Sequence, residues 1–104
     1  MSDPMPTVYV TVPAVAADDI ATALVAERLA ACVNRMPCRS TYRWEGELHR
    51  DEEVVLLAKT TSDRYGALEA RIAELHPHDV PCIERIDAAD VFAPYADWVA
   101  ESVE

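Results

Sequence analysis

Thr7 to Val12 reads Thr-Val-Tyr-Val-Thr-Val, β-branched or aromatic at every position. Such a run predicts a strand, closed by Pro13. Asp19 to Ala31 is alanine-rich and carries Ile20, Leu24 and Val25 on neighbouring turns, with Asp18 or Asp19 placed to cap it. This predicts a helix whose narrow polar face (Thr22, Glu27, Arg28) implies deep burial. Cys32 to Trp44 holds two apolar bursts around Pro37 and reads as a second strand. Trp44-Glu45-Gly46-Glu47 is a turn signal, and the chain resumes as a strand at Leu48. Val54 to Ala58 is apolar without alternation, so both faces of that strand should be covered. Helices supply one cover, and the sequence has no spare element for the other. A neighbouring subunit is its simplest source.

Ser62-Asp63 opens a second helix, with Tyr65, Leu68, Ile72 and Leu75 in one apolar stripe. It ends at His76-Pro77, because the residue before proline is pushed out of the helical region. Cys82 to Ile86 alternates as a short strand, and Val91-Phe92 either extends the sheet or caps it. Pro94 suits the first turn of a last helix bearing Tyr95, Trp98, Val99 and Val103. The order predicts an α+β fold: a ferredoxin-like, split βαβ antiparallel sheet with two helices on one face, plus a short C-terminal helix. Residues 1–6 are expected to be a flexible N-terminus and 7–104 a single domain.

A length of 104 residues fits one domain. The hydrophobic fraction of 51% excludes a disordered chain, but much of it is alanine, which buries little area. Association would add the missing burial. No apolar run approaches the roughly 20 residues of a membrane helix. The first six residues lack the basic and apolar regions of a signal peptide, so a cytoplasmic location is expected. Cys32, Cys38 and Cys82 are odd in number and read as free thiols. The net charge of −10 argues against nucleic acid or an anionic membrane as the main partner. Lys59 is the sole lysine among 19 acidic residues, a pattern suited to high salt, where screening removes self-repulsion. The alternative is an ordinary acidic cytoplasmic protein.

Several segments together resemble the CutA family of divalent-cation tolerance proteins. They are Thr11-Val12-Pro13, Glu27-Arg28-Leu29-Ala30-Ala31-Cys32-Val33-Asn34, Tyr42-Arg43-Trp44-Glu45-Gly46-Glu47 and Leu57-Ala58-Lys59-Thr60, then His76-Pro77 with Pro81, and Tyr95 with Trp98. Their order and spacing over nearly the whole chain make the match specific. The resemblance implies a homotrimer held by strand pairing and sheet packing, and a link to copper and divalent-cation tolerance. The chain is expected not to be an enzyme. It also implies kinship in fold with the trimeric nitrogen-regulatory (PII) signalling proteins. The chain departs from the family pattern where metal-binding members can carry a cysteine or a second histidine, here Val10 and Leu75. The usual tyrosine and glutamate after the His-Pro pair are His78 and Cys82.

The best metal candidate is therefore His76, His78 and Cys82, with Asp79 beside them. Imidazole and thiolate suit soft or divalent ions, copper first among them. Against this, Cys82 can equally face the core as a small hydrophobe, and no closed zinc-type spacing exists. Lys59, Tyr42 and Trp44 are a second candidate, a cleft between subunits in which the ammonium anchors an anion. An ion pair at Lys59 and simple packing of the two aromatics are the alternative. Glu45 and Glu47 read as a solvated acidic tip. Phosphate loops, nucleophile elbows and zinc-protease motifs are missing, so no organic cofactor is expected. The sequence thus points to a metal-binding homotrimer, with a PII-like adaptor that binds a small ligand between subunits as the alternative.

Overall fold

The computed structural model describes residues 4–104. Its elements are β1 (Pro6–Pro13), α1 (Ala14–Ala26), β2 (Cys32–Trp44), β3 (Glu47–Lys59), α2 (Ser62–Leu75), β4 (Ile83–Asp87) and α3 (Ala93–Ser102). They form one antiparallel sheet of order β2-β3-β1-β4. This is the split βαβ, ferredoxin-like α+β arrangement expected from the element order. Of the segment 1–6, residues 1–3 lie outside the described residues. Pro6 already belongs to β1, and Met5 packs against α3.

The core follows from the two-residue period of β1. Val8, Val10 and Val12 are fully buried and stand opposite Ala58, Leu56 and Val54 on β3. Ile20, Ala21 and Leu24 of α1 and Leu68 and Ile72 of α2 close over them. The opposite phase of the strands faces away from both helices. There Tyr9 stands beside Leu57, and Thr11 beside Val55. Met36 and Ile86, about half exposed, extend this second apolar face. Helix α3 makes a small separate cluster in which Val99 and Val103 meet Ala31, Met5 and Tyr95.

Helix α1 lies five residues earlier than the composition suggested. It starts directly after Pro13, whose φ of −56° already suits the entry, and uses no side-chain cap. Asp18 and Asp19 therefore sit exposed inside the helix rather than at its start. The far end is a Schellman turn: Leu29 N–H donates to the Leu24 carbonyl and Arg28 N–H to that of Val25. Arg28 takes the left-handed position, φ 59°, where glycine is usual. With no glycine to mark the stop, the helical pattern runs on in the sequence through Leu29-Ala30-Ala31. Val91-Phe92 neither extends the sheet nor caps it. Phe92 immediately precedes α3 and is exposed.

Strands β2 and β3 pair without interruption from Cys32↔Lys59 to Trp44↔Glu47, thirteen residues each. Strand β1 covers only Glu53–Lys59 of β3. The outer half of the hairpin therefore projects as an arm from a molecule 46 Å long and 21 Å across at its thinnest. At its tip Glu45 (φ 50°) and Gly46 (φ 82°) are both left-handed. That is the primed turn that matches the twist of paired strands, and it requires glycine or a tolerant residue at both positions.

Candidate functional site

The α2–β4 loop and the projecting arm flank an open cavity of about 640 Å³. Its lining includes Thr11, Tyr42, Trp44, Glu53, His78 and Cys82, with Asp79 at the loop and Arg43 on the arm. The two candidate sets read from the sequence thus meet in part. His78 and Cys82 from the first and Tyr42 and Trp44 from the second share one pocket. His76 and Lys59 do not line it.

His76 is buried, 6% exposed, and both its ring nitrogens are engaged by backbone. Nε2 lies 2.7 Å from the Thr11 carbonyl, and Nδ1 lies 3.1 Å from the His78 amide nitrogen. Because the His78 N–H donates to Nδ1, the proton must sit on Nε2, which donates to Thr11. The reason lies in the strand register. Pairing of β1 with β4 ends at Val10↔Ile83, so Thr11 has passed beyond that ladder. The imidazole supplies a donor to its carbonyl. The same ring orients the loop, with the His78 ring centroid 5.0 Å away.

His78 itself is exposed. Cys82 is half-buried, and its thiol donates to the Glu84 carboxylate at 3.6 Å. Burial pushes the Cys82 thiol above its ordinary pKa; Thr11 hydrogen bonds oppose this and Glu84 adds to it. Among the described residues no group of three His, Cys, Asp or Glu side chains is arranged to hold a metal ion. One chain therefore offers His78, Asp79 and Cys82 along a pocket wall without gathering them around one point.

On the arm, Tyr42 stacks on His49 with centroids 5.3 Å apart and planes 13° from parallel. Its hydroxyl donates to the Asp51 carboxylate. That hydrogen bond, then burial, then the charges of Asp51 and Glu53 raise its pKa. Trp44 is partly exposed beside the turn. Lys59 lies at the other end of β3, six residues from Glu53 and about 20 Å away at the rise of an extended strand. Its Cα partners are Thr7 and Cys32, and among the described residues its side chain makes no ion pair. Near it, the Cys32 thiol meets the Tyr95 hydroxyl at 3.3 Å. Cys38 lies 4.0 Å from the Ser40 hydroxyl, and all three cysteines are free.

Sequence reasoning missed Glu53. It lies in an acidic stretch, Asp51-Glu52-Glu53, that reads as a solvated arm. Yet Glu53 is 6% exposed while Asp51 and Glu52 are exposed. Its position opposite Pro13 on β1, where the arm enters the sheet, distinguishes it. The one available signal was its place just before the apolar run Val54–Ala58.

Residues 6–102 match the family model of the CutA1 divalent ion tolerance protein. The divalent-cation tolerance protein CutA of Thermus thermophilus is 46% identical over 97 residues, covering 91% of this chain and 94% of its own length. That of Pyrococcus horikoshii is 43% identical over 98 residues, covering 93% and 96%. Among solved structures, the PII-like protein CutA from Nostoc superposes with a TM-score of 0.91 at 32% identity, covering 95% of this chain and 97% of its own. The structure described as periplasmic divalent cation tolerance protein CutA from Archaeoglobus fulgidus also gives 0.91 at 32% identity, over 96% and 99%. Among the described residues no helix is long and apolar enough to cross a membrane. On this sequence match, sheet order and superposition, the chain belongs to the CutA family of divalent-cation tolerance proteins.

Proposed function

We propose that this chain is a cytoplasmic homotrimer that serves in the response to divalent and soft metal ions, without being an enzyme, and that the pocket between the arm and the α2–β4 loop is its working site. The observation that carries the site is that His78, Asp79 and Cys82 all line one cavity. An imidazole and a thiol favour copper over hard cations such as magnesium. Their open arrangement suits an ion that exchanges, rather than one locked in a structural site. His76 acts in this reading as the clamp that sets the loop, since its ring nitrogens are already engaged.

The trimer is supported by the apolar face that the helices leave uncovered and by the projecting arm. Tyr9, Val55, Leu57, Met36 and Ile86 lie on that face, and Leu48 of the arm is 55% exposed. An apolar face and a long exposed hairpin are both managed by pairing with copies of the same chain. The free cysteines accord with a reducing compartment.

Competition titration of Cu(I), Cu(II) and Zn(II) against calibrated chelators tests the metal role, with a His78→Ala, Cys82→Ser variant beside the parent. Saturable binding near one ion per chain that the variant loses supports the role. Weak binding that the variant retains assigns the signal to surface carboxylates and refutes the site. Light scattering at micromolar concentration tests the trimer, and a monomer there refutes it.

The cavity volume favours a second reading, a PII-like module that binds a small ligand at an inter-subunit cleft. About 640 Å³ is far more than an ion requires and falls within the roughly 300–1,000 Å³ of organic-ligand pockets.

A further inference from the structure

Glu53 is a carboxylate in an unusual position. It is 94% removed from solvent by its 6% exposure, and it lines the cavity. Among the described residues its side chain has neither a hydrogen-bond donor nor a salt-bridge partner. Three donors that share the lining make their recorded hydrogen bonds to other groups. The Tyr42 hydroxyl donates to Asp51, and the Arg43 guanidinium donates to the Gly46 carbonyl at 3.5 Å. The Cys82 thiol donates to Glu84. Among the described residues no buried side-chain oxygen is wholly sealed and unpartnered, so the oxygens of Glu53 keep some access to solvent. A carboxylate so placed is acceptor-only and favours a charged donor.

The walls supply the rest. Tyr42 is held in place by its stack on His49 and its bond to Asp51, and Trp44 stands two residues along on the same strand face. Electron-rich ring faces attract cations, and organic cations more than strongly hydrated metal ions. Asp79 adds a second negative charge to the lining. Anions meet the reverse: an unpaired carboxylate at the floor, and a chain of net charge −10. The chain also has only two glycines, and neither Gly46 nor Gly66 lines the cavity as part of a phosphate cradle.

We propose that this cavity is a binding site for a small organic cation bearing N–H donors, an alkylammonium or guanidinium whose charged head meets the Glu53 carboxylate while its apolar part lies against Tyr42 and Trp44. The assignment rests on the small-ligand reading of the pocket and names the chemical class that reading left open. It also separates two roles for one cavity. The soft donors His78 and Cys82 lie on the loop wall, whereas Glu53, Tyr42 and Trp44 belong to the hairpin.

The test is calorimetric titration of the intact protein with benzylamine, benzyl alcohol and benzoate, three probes of nearly one shape that differ in charge. Phenylguanidine serves as a second cation. The parent is compared with Glu53→Gln and with Glu101→Gln, a control on the exposed surface of α3. Both cations should bind near one per chain, at least about tenfold tighter than benzyl alcohol, with benzoate weakest. Glu53→Gln should abolish the difference between benzylamine and benzyl alcohol while melting as the parent does, and Glu101→Gln should leave it intact. Benzoate binding as well as benzylamine would overturn the cation class and leave the pocket standing. Equal loss in Glu53→Gln and Glu101→Gln would reduce the preference to general surface charge and overturn the proposal. Failure of all four probes to bind the parent would overturn both the proposal and the small-ligand reading beneath it.

Discussion

Replacing His76 by leucine separates a structural clamp from a metal ligand. Leucine fills a similar volume in a site that is 6% exposed, so the core is not emptied. Two hydrogen bonds are lost. The Thr11 carbonyl, beyond the reach of the β4 ladder, loses its donor at 2.7 Å. A partly buried carbonyl left unsatisfied costs about 1–3 kcal/mol. The His78 amide loses its acceptor at 3.1 Å, but His78 is exposed and water replaces the ring, so about 0.5–1.5 kcal/mol is lost there. Better burial of leucine offsets a part, up to about 1 kcal/mol. The net is a loss of roughly 0.5–4.5 kcal/mol, centred on about 2–3 kcal/mol, which is about 10–20 °C in melting temperature for a domain of this size. Melting must be compared at one protein concentration, because association makes the midpoint concentration-dependent. The same samples are titrated with Cu(I). A clamp predicts lower stability with one ion still bound per chain once the protein is folded. A melting point within about 2 °C of the parent together with loss of the ion would refute the reasoning and make His76 a ligand.

Four further outcomes follow from the same structure. Arg28→Gly relieves the left-handed residue of the Schellman turn and should raise stability by up to about 1 kcal/mol, read from urea midpoints. Thr60→Val removes the hydroxyl that donates to the Leu29 carbonyl at 2.7 Å in a fully buried position, and should cost about 1–3 kcal/mol in the same assay. Tyr95 has its pKa raised to about 12, mainly by burial and then by Cys32. A proton held more tightly in the folded state gives stability that is complete below the unfolded value and is lost as pH rises through the folded one, so stability should fall between about pH 10 and 12 and Tyr95→Phe should flatten part of that fall. Raising KCl from low to molar concentration should raise the melting temperature if the excess of acidic groups repels itself, and no change would remove the high-salt reading.

Legibility in the sequence followed the physics of each element. β1 was readable because every residue from Thr7 to Val12 is β-branched or aromatic, and its buried and open phases alternate as a half-covered strand must. The arm was readable from Glu45-Gly46, since a primed turn needs left-handed residues and glycine advertises one. α1 was misplaced because both of its ends lack their usual marks. Proline serves at the entry without a side-chain cap, and arginine occupies the position where glycine would signal the stop. The site was legible only residue by residue. Tyr42, Trp44, His78 and Cys82 were each visible, but nothing in one chain's spacing shows that a loop after α2 returns to face the arm. That depends on tertiary closure, fixed here by the hydrogen bond from His76 to a strand 65 residues earlier.

Glu53 shows most plainly what local pattern omits. Three consecutive acids, Asp51, Glu52 and Glu53, have similar hydration and nearly the same propensity, so sequence alone treats them as one polar run. The fold does not. Asp51 stands on the free arm and holds the Tyr42 hydroxyl, and Glu52 faces water beside Arg39. Glu53 is the first residue of β3 to gain a partner on β1, and burial begins at that residue. A chain optimised for stability alone would place an apolar group there, because burying a carboxylate without a donor is unfavourable. The acid at the root of the arm lines the cavity, where the proposed cation would meet it. The same carboxylate explains why divalent ions at high concentration are a poor probe of this protein. They will find Asp79 and the other exposed acids as readily as Glu53, whereas a shaped cation tests the buried carboxylate that lines the cavity.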